Sequence, residues 1–130
     1  MGKRGYHHGN LREALVAGCL SLIEKRGPTG FTLSEVAREA GVTPAAVYRH
    51  FEGREDLIAE AALQGYAIFA EAMEDAYADG KPSDLAAFEA TGRAYLAFAN
   101  KYPGHYVAMF ESGISIQRTP ELNKVATRAL

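Results

Sequence analysis

Residues Thr32–Phe51 read TLSEVAREAGVTPAAVYRHF, and this stretch decides the fold. Thr32 and Glu35 have the spacing of a capping box, in which a hydroxyl and a carboxylate satisfy backbone N–H groups at a helix start. Phe31 and Val36 stand at the two positions of a hydrophobic staple around that cap. The pattern predicts a helix over Leu33–Ala40. Gly41 ends it, at a point where a left-handed backbone is needed. Thr43 then caps a second helix, with Pro44 at the first helical position, where its missing N–H costs nothing. Val42 and Val47 form a second staple, and this helix is short, from Pro44 to about His50. Ala37 is small and lies one turn before Gly41, so the two helices approach closely, with Val47 projecting back into their contact. A tight glycine turn between two short helices is the helix-turn-helix arrangement. In that arrangement the second helix enters the major groove of a duplex while the first crosses its backbone.

The residues around this turn suit a polyanion. Helix starts favour anions through their free N–H groups and dipoles, and Thr32, Ser34 and Thr43 add hydroxyls there. Pro44, Ala45 and Ala46 are small and apolar, fitted to close approach and to thymine methyl groups. Tyr48, Arg49 and His50 supply aromatic and cationic reach, and Arg54 stands at the next helix start, within reach of a phosphate. Val47 and Phe51 read as core.

Working outward, Asn10 and Glu13 suggest a capping box opening a first helix over residues 11–26, which Gly27 and Pro28 stop. Arg54 begins a long fourth helix with Leu57, Ala61, Tyr66, Phe69, Met73 and Tyr77 on one face. Gly80, Lys81 and Pro82 break it. Ser83 caps a fifth, with Leu85, Phe88, Gly92, Tyr95, Ala99 and Tyr102 on one side. Asn100–Gly104 is a breaker, His105–Glu111 a sixth helix, and Pro120 opens a seventh. No strand-like alternation is present, and the 23 alanines among 130 residues favour helix. The chain therefore reads as all-α: an N-terminal three-helix bundle with a helix-turn-helix, continuing through the long fourth helix into a second helical region.

Charge divides along the chain. Residues 1–54 hold eight Lys or Arg against five acids, a balance of +3, while residues 55–130 hold six against eleven, a balance of −5. A basic front and an acidic rear point to the front as the part that meets a polyanion. Lys3, Arg4, His7 and His8 suit either a basic arm on DNA or a solvated terminus. Adjacent histidines with no further ligand at suitable spacing make a poor metal cage, and no metal or cofactor is expected. The single cysteine, Cys19, excludes a disulfide framework, suits a reducing compartment, and falls beside Leu15 and Leu22 as a small hydrophobe. No apolar run is long enough for a membrane span. No secretory leader is read at Met1–Asn10, and Tyr6 stands where a myristoylation signal wants Ser or Thr.

The rear half is dense in aromatics. Phe69, Met73, Phe88, Tyr95, Phe98, Tyr102, Tyr106, Met109 and Phe110 read either as plain core or as the lining of a ligand pocket, since buried phenols need hydrogen-bond partners. An enzyme built on such a pocket is disfavoured, because no nucleophile–base–orienter set and no phosphate loop is present. A helical protein-binding adaptor is the remaining alternative, separable from a DNA binder by the salt dependence of binding.

Roughly the first half of the chain resembles the DNA-binding domain of the TetR/AcrR family of bacterial transcriptional repressors. GYHHGNLREAL, FTLSEVAREAGVTPAAVYRHF and EGREDLIAEA follow the family pattern in order, with an aromatic before the His50-Phe51 pair and a cation at Arg54. The opening also resembles the subgroup whose effector domain is of the WHG class, and AYLAFANKYPGHYVAMF, residues 94–110, carries a weaker likeness in the rear half. The resemblance implies a cytoplasmic regulator, a repressor that binds double-stranded operator DNA as a homodimer and is released by a small-molecule effector. It places a DNA-binding domain at residues 9–69 and part of a ligand-binding and dimerisation domain at 70–130. Family members are longer, with later helices forming the dimer interface, so the resemblance leaves these residues as a fragment, a truncated gene product or the ordered part of something longer, and dimer formation as a property of the intact family member. Two recognition helices of such a dimer lie about 34 Å apart, one duplex turn.

Overall fold

The structure, a computed structural model, describes residues 9–130. The arm residues Lys3, Arg4, His7 and His8, and the Gly2–Tyr6 segment, lie outside them. Seven α-helices follow in order: α1 (Gly9–Arg26), α2 (Leu33–Ala40), α3 (Pro44–Tyr48), α4 (Arg54–Tyr77), α5 (Asp84–Lys101), α6 (Pro103–Phe110) and α7 (Pro120–Ala129), with one 3-10 turn at Ala78–Gly80. No strand occurs among the described residues, and the all-α reading with an N-terminal helix-turn-helix holds.

Local signals set most boundaries. Ser83 Oγ accepts from Ala86 N–H and starts α5, and Thr119 Oγ1 accepts from Leu122 N–H and starts α7. Three boundaries differ from expectation. Asn10 lies inside α1, which already includes Gly9, so Asn10 is not its cap. Helix α3 stops at Tyr48, two residues early. Helix α6 begins at Pro103, a residue read as a breaker; at the first helical position its fixed φ favours the helix.

Helix α4 joins the two halves. Its front buries Leu57, Ile58 and Ala61 with Leu15, Cys19, Val36 and Val47 from α1–α3 and with Phe51 from the loop after α3. Farther along, Tyr66, Phe69 and Ala70 are buried, and Phe98, Met109, Leu122 and Ala126 close the rear core. Gly65 allows α6 to lie close, for a Cβ there would stand 2.5 Å from Met109 Sδ and 3.1 Å from His105 Cβ. Of the expected side of α5, Tyr95 and Tyr102 pack against the core, whereas Leu85 and Phe88 near its start are exposed; Ala87 and Phe98 are buried besides.

Cys19 is fully buried, and burial pushes its thiol up to about 12. The native protein is therefore expected to resist alkylation by iodoacetamide under mildly alkaline conditions and to react promptly in denaturant. Rapid labelling of the folded chain would contradict the packing of α1.

Candidate nucleic-acid interface

The helix-turn-helix is built from its caps. Thr32 Oγ1 accepts from Glu35 N–H at 3.2 Å, and Glu35 Oε1 accepts from Thr32 N–H at 2.9 Å, completing the capping box. The Arg26 guanidinium also donates to Glu35; with the Thr32 N–H it holds that carboxyl below the usual carboxylate range. Gly41 is left-handed (φ 75°, ψ 31°), and the next residue, Val42, donates to Ala37 O at 2.9 Å. Thr43 Oγ1 then accepts from Ala46 N–H at 3.3 Å. The turn and the first residue of α3 are thus fixed by backbone geometry and two hydroxyl caps.

This arrangement sorts α3 into two sides. Val47 and Phe51, one turn apart, face the core, while Thr43, Pro44, Ala45, Tyr48, Arg49 and His50 are exposed. Tyr48 stands out as a large ring with 58% of its surface accessible. On α2, Thr32 and Ser34 are exposed, and so is Arg38, one turn beyond Ser34 on the same helix. Arg38 and Arg49 form no ion pair among the described residues. The sequence reading passed over Arg38; its position in the last turn of α2, one turn from Ser34, was the available signal. The exposed edge therefore carries hydroxyls, a phenol, two unpaired cations and a small apolar start, a set able to contact phosphates and base edges.

Two expected contact residues are placed otherwise. Ala46 is buried at 8% exposure, because it lies on the same side of α3 as Val47. Arg54 donates to Phe31 O at 3.1 Å and Thr29 O at 3.4 Å, with its guanidinium 5.8 Å from the Phe31 ring centre. It braces the loop that enters α2, which is a structural role.

The rear aromatics pack on one another. Phe69 meets Phe98 at 5.1 Å, Tyr95 at 5.8 Å and Phe110 at 6.0 Å between ring centres, and Tyr106 meets Phe110 at 5.1 Å. Tyr66 donates its hydroxyl to Met109 O, and Tyr95 and Tyr106 share a 2.9 Å hydrogen bond. These contacts satisfy Tyr66 and also Tyr95 and Tyr106, two of the three phenols read as either core or pocket lining. Met73 is half-buried against the same core. Phe88 is a correction: it is 74% exposed and makes no ring contact with the cluster among the described residues. A separate groove of about 350 Å³ lies between α4 and α5, lined by Ile68, Glu71, Asp75, Phe98, Lys101 and Tyr102 among others. Phe98 and Tyr102 alone link it to the expected pocket set. No group of three or more potential metal ligands is assembled among the described residues, and no described helix is long and apolar enough to cross a membrane.

Ionic contacts give the fold a pH dependence. Arg26, Arg118 and Arg128 each hold a carboxyl low, on Glu35, Asp56 and Glu74 respectively. Burial lowers His105, against the opposing pull of Glu24. A group whose folded pKa is depressed stabilises the fold above its unfolded value and loses that contribution as pH falls through the folded one. Acidification is therefore expected to lower the melting temperature first through the histidine range and again below the carboxylate range. A melting temperature flat across both ranges would contradict these contacts.

The comparisons with known proteins agree with this geometry. Residues 15–61, which contain the whole helix-turn-helix, match the family of bacterial regulatory proteins named tetR. That stretch is thus similar to a TetR-family N-terminal domain. The TetR likeness extends into the rear half by fold. The TetR-family transcriptional regulator PfmR of Thermus thermophilus superposes with a TM-score of 0.72 at 18% identity, over 88% of this chain and 63% of its own. A protein of unknown function from Rhodococcus sp. RHA1 superposes with a TM-score of 0.75 at 31% identity, over 95% of this chain and 64% of its own. In sequence, the uncharacterised HTH-type transcriptional regulator YobS of Bacillus subtilis is 26% identical over 100 residues, which are 77% of this chain and 51% of YobS. The chain thus spans about half the length of this curated relative and under two thirds of these solved chains.

Proposed function

We propose that the chain is the DNA-binding part of a transcriptional regulator that reads a duplex through the outer edge of α3. The observation that carries the reading is the sorting of α3. Val47 and Phe51 anchor it, two caps fix its start, and Tyr48, Arg49 and His50 are left exposed beside Thr43. A structural hairpin has no need to expose a tyrosine next to an unpaired arginine. The TetR-type domain at residues 15–61 and the name of YobS as an HTH-type regulator support the same reading.

We assign residues 9–69 to DNA binding and 70–130 to part of a domain for effector binding and homodimer formation. Repression, release by a small effector and a cytoplasmic setting belong to this proposal on the family resemblance of the front half, and the WHG-type rear half on the opening and the weaker likeness of residues 94–110. Release requires that the effector favour one spacing of the two recognition helices over another, since a ligand shifts an equilibrium only by its differential affinity.

Selection of duplexes from a random pool at low salt tests the reading. A shared motif is expected to be enriched, with affinity falling linearly on a log–log plot against salt. Failure to enrich any motif, or binding indifferent to salt, would overturn it in favour of a protein-binding adaptor.

A further inference from the structure

The α3–α4 corner is held by a residue from the far end of the chain. Helix α4 starts at Arg54, and the residue at its cap position, Gly53, offers no side-chain cap. The corner is secured instead by Asp56, whose Oδ2 accepts from Glu52 N–H at 3.1 Å. The same carboxylate accepts from Arg118 Nη2 through Oδ1 at 2.7 Å, and Glu55 adds a longer contact to Arg118 at 3.5 Å. Arg118 immediately precedes Thr119, the cap of α7, and α7 is anchored by buried Leu122 and Ala126. One carboxylate thus bridges the loop leaving α3 and the segment entering α7. Arg118 and Asp56 are each about one-third exposed, so the pair is neither deeply desolvated nor fully screened.

We infer that Arg118 is a positioning residue for the recognition edge: through Asp56 it fixes the Glu52–Gly53 corner, and hence the direction in which α3 presents Tyr48 and Arg49. The inference rests on the DNA-binding reading for its consequence and on the bridge itself for its geometry. It also gives the segment entering α7 a hold, through Asp56 at the start of α4, on the loop that follows α3.

The sign of one substitution separates this role from simple charge. Arg118→Gln removes a cation and would weaken binding to a polyanion on either account. Asp56→Asn removes an anion, so charge alone predicts tighter binding, whereas loss of the bridge predicts weaker binding. Asn retains an oxygen that accepts from Glu52 N–H, so the helix start is kept while the ion pair is lost. With the full 130-residue chain and the most enriched duplex from the random pool, each variant is expected to bind about threefold more weakly, and the double variant no worse than the weaker single. Circular dichroism at the binding temperature confirms that all are folded. Equal or tighter binding by Asp56→Asn would overturn the inference.

A readout without DNA accompanies it. Arg118→Gln is expected to speed hydrogen exchange at the Glu52 amide about threefold while amides of Leu15–Leu22 in α1 are unchanged, and Arg118→Lys is expected to restore part of the protection. Unchanged exchange at Glu52 would also overturn the inference. A wild-type chain that binds no duplex would refute the DNA reading itself, and the exchange experiment then decides the bridge alone.

Discussion

Gly41→Val is expected to lower the melting temperature by roughly 10 °C, corresponding to about 2 kcal/mol at the transition. Gly41 sits at φ 75°, and a β-branched side chain there clashes with its own backbone. Escaping the clash would mean rotating Gly41 out of the left-handed region. That rotation would break the Val42 N–H to Ala37 O bond at 2.9 Å and swing α3 away from α2. Either response is costly, because Val36, Ala37 and Val47 meet in the core on the inner side of the turn. Gly41→Asn is the informative control, since Asn tolerates the left-handed region; it is expected to lose far less. A wild-type melting curve for the valine variant would show that the turn is not held as described.

The double substitution Tyr48→Ala, Arg49→Ala is expected to weaken duplex binding about thirtyfold without a comparable loss of stability. Both side chains are exposed, so their removal opens no cavity. Arg49 supplies a cation free of ion pairs among the described residues, and its loss should also reduce the slope of log affinity against log salt by about one. Tyr48 supplies a ring and a hydroxyl, and its loss should relax preference between sites more than it alters that slope. Full retention of affinity would assign the contact to another surface.

The sequence was most readable where the chain talks to itself over a few residues. Thr32 with Glu35, Thr43 with Ala46, Ser83 with Ala86 and the left-handed Gly41 are local interactions, and all occur as their spacing predicts. It was least readable where a partner lies far along the chain. Arg54 looked free for a phosphate because nothing beside it in sequence claims it, yet Thr29 and Phe31 supply its acceptors. Arg118 carried no local pattern at all, and its partner Asp56 is on another helix. Helical faces failed by small rotations. In α3 one residue turns the chain by about 100°, so Ala46 falls on the core side although Ala45 does not. In α5 Tyr95 and Phe98, from neighbouring sides, both pack on Phe69, while Leu85 and Phe88 near the helix start are left exposed. The aromatics of the rear half were recognised as a set, but whether they enclose space or fill it depends on ring geometry that composition does not contain.

Amide chemical shifts of the labelled chain, followed while the selected duplex is titrated in, test the central claim most directly. The largest changes are expected on Thr43–His50 and on the start of α2 at Thr32–Glu35, with the α5 amides little affected. Saturable changes centred on α5 and α6, with Tyr48 and Arg49 unmoved, would contradict it.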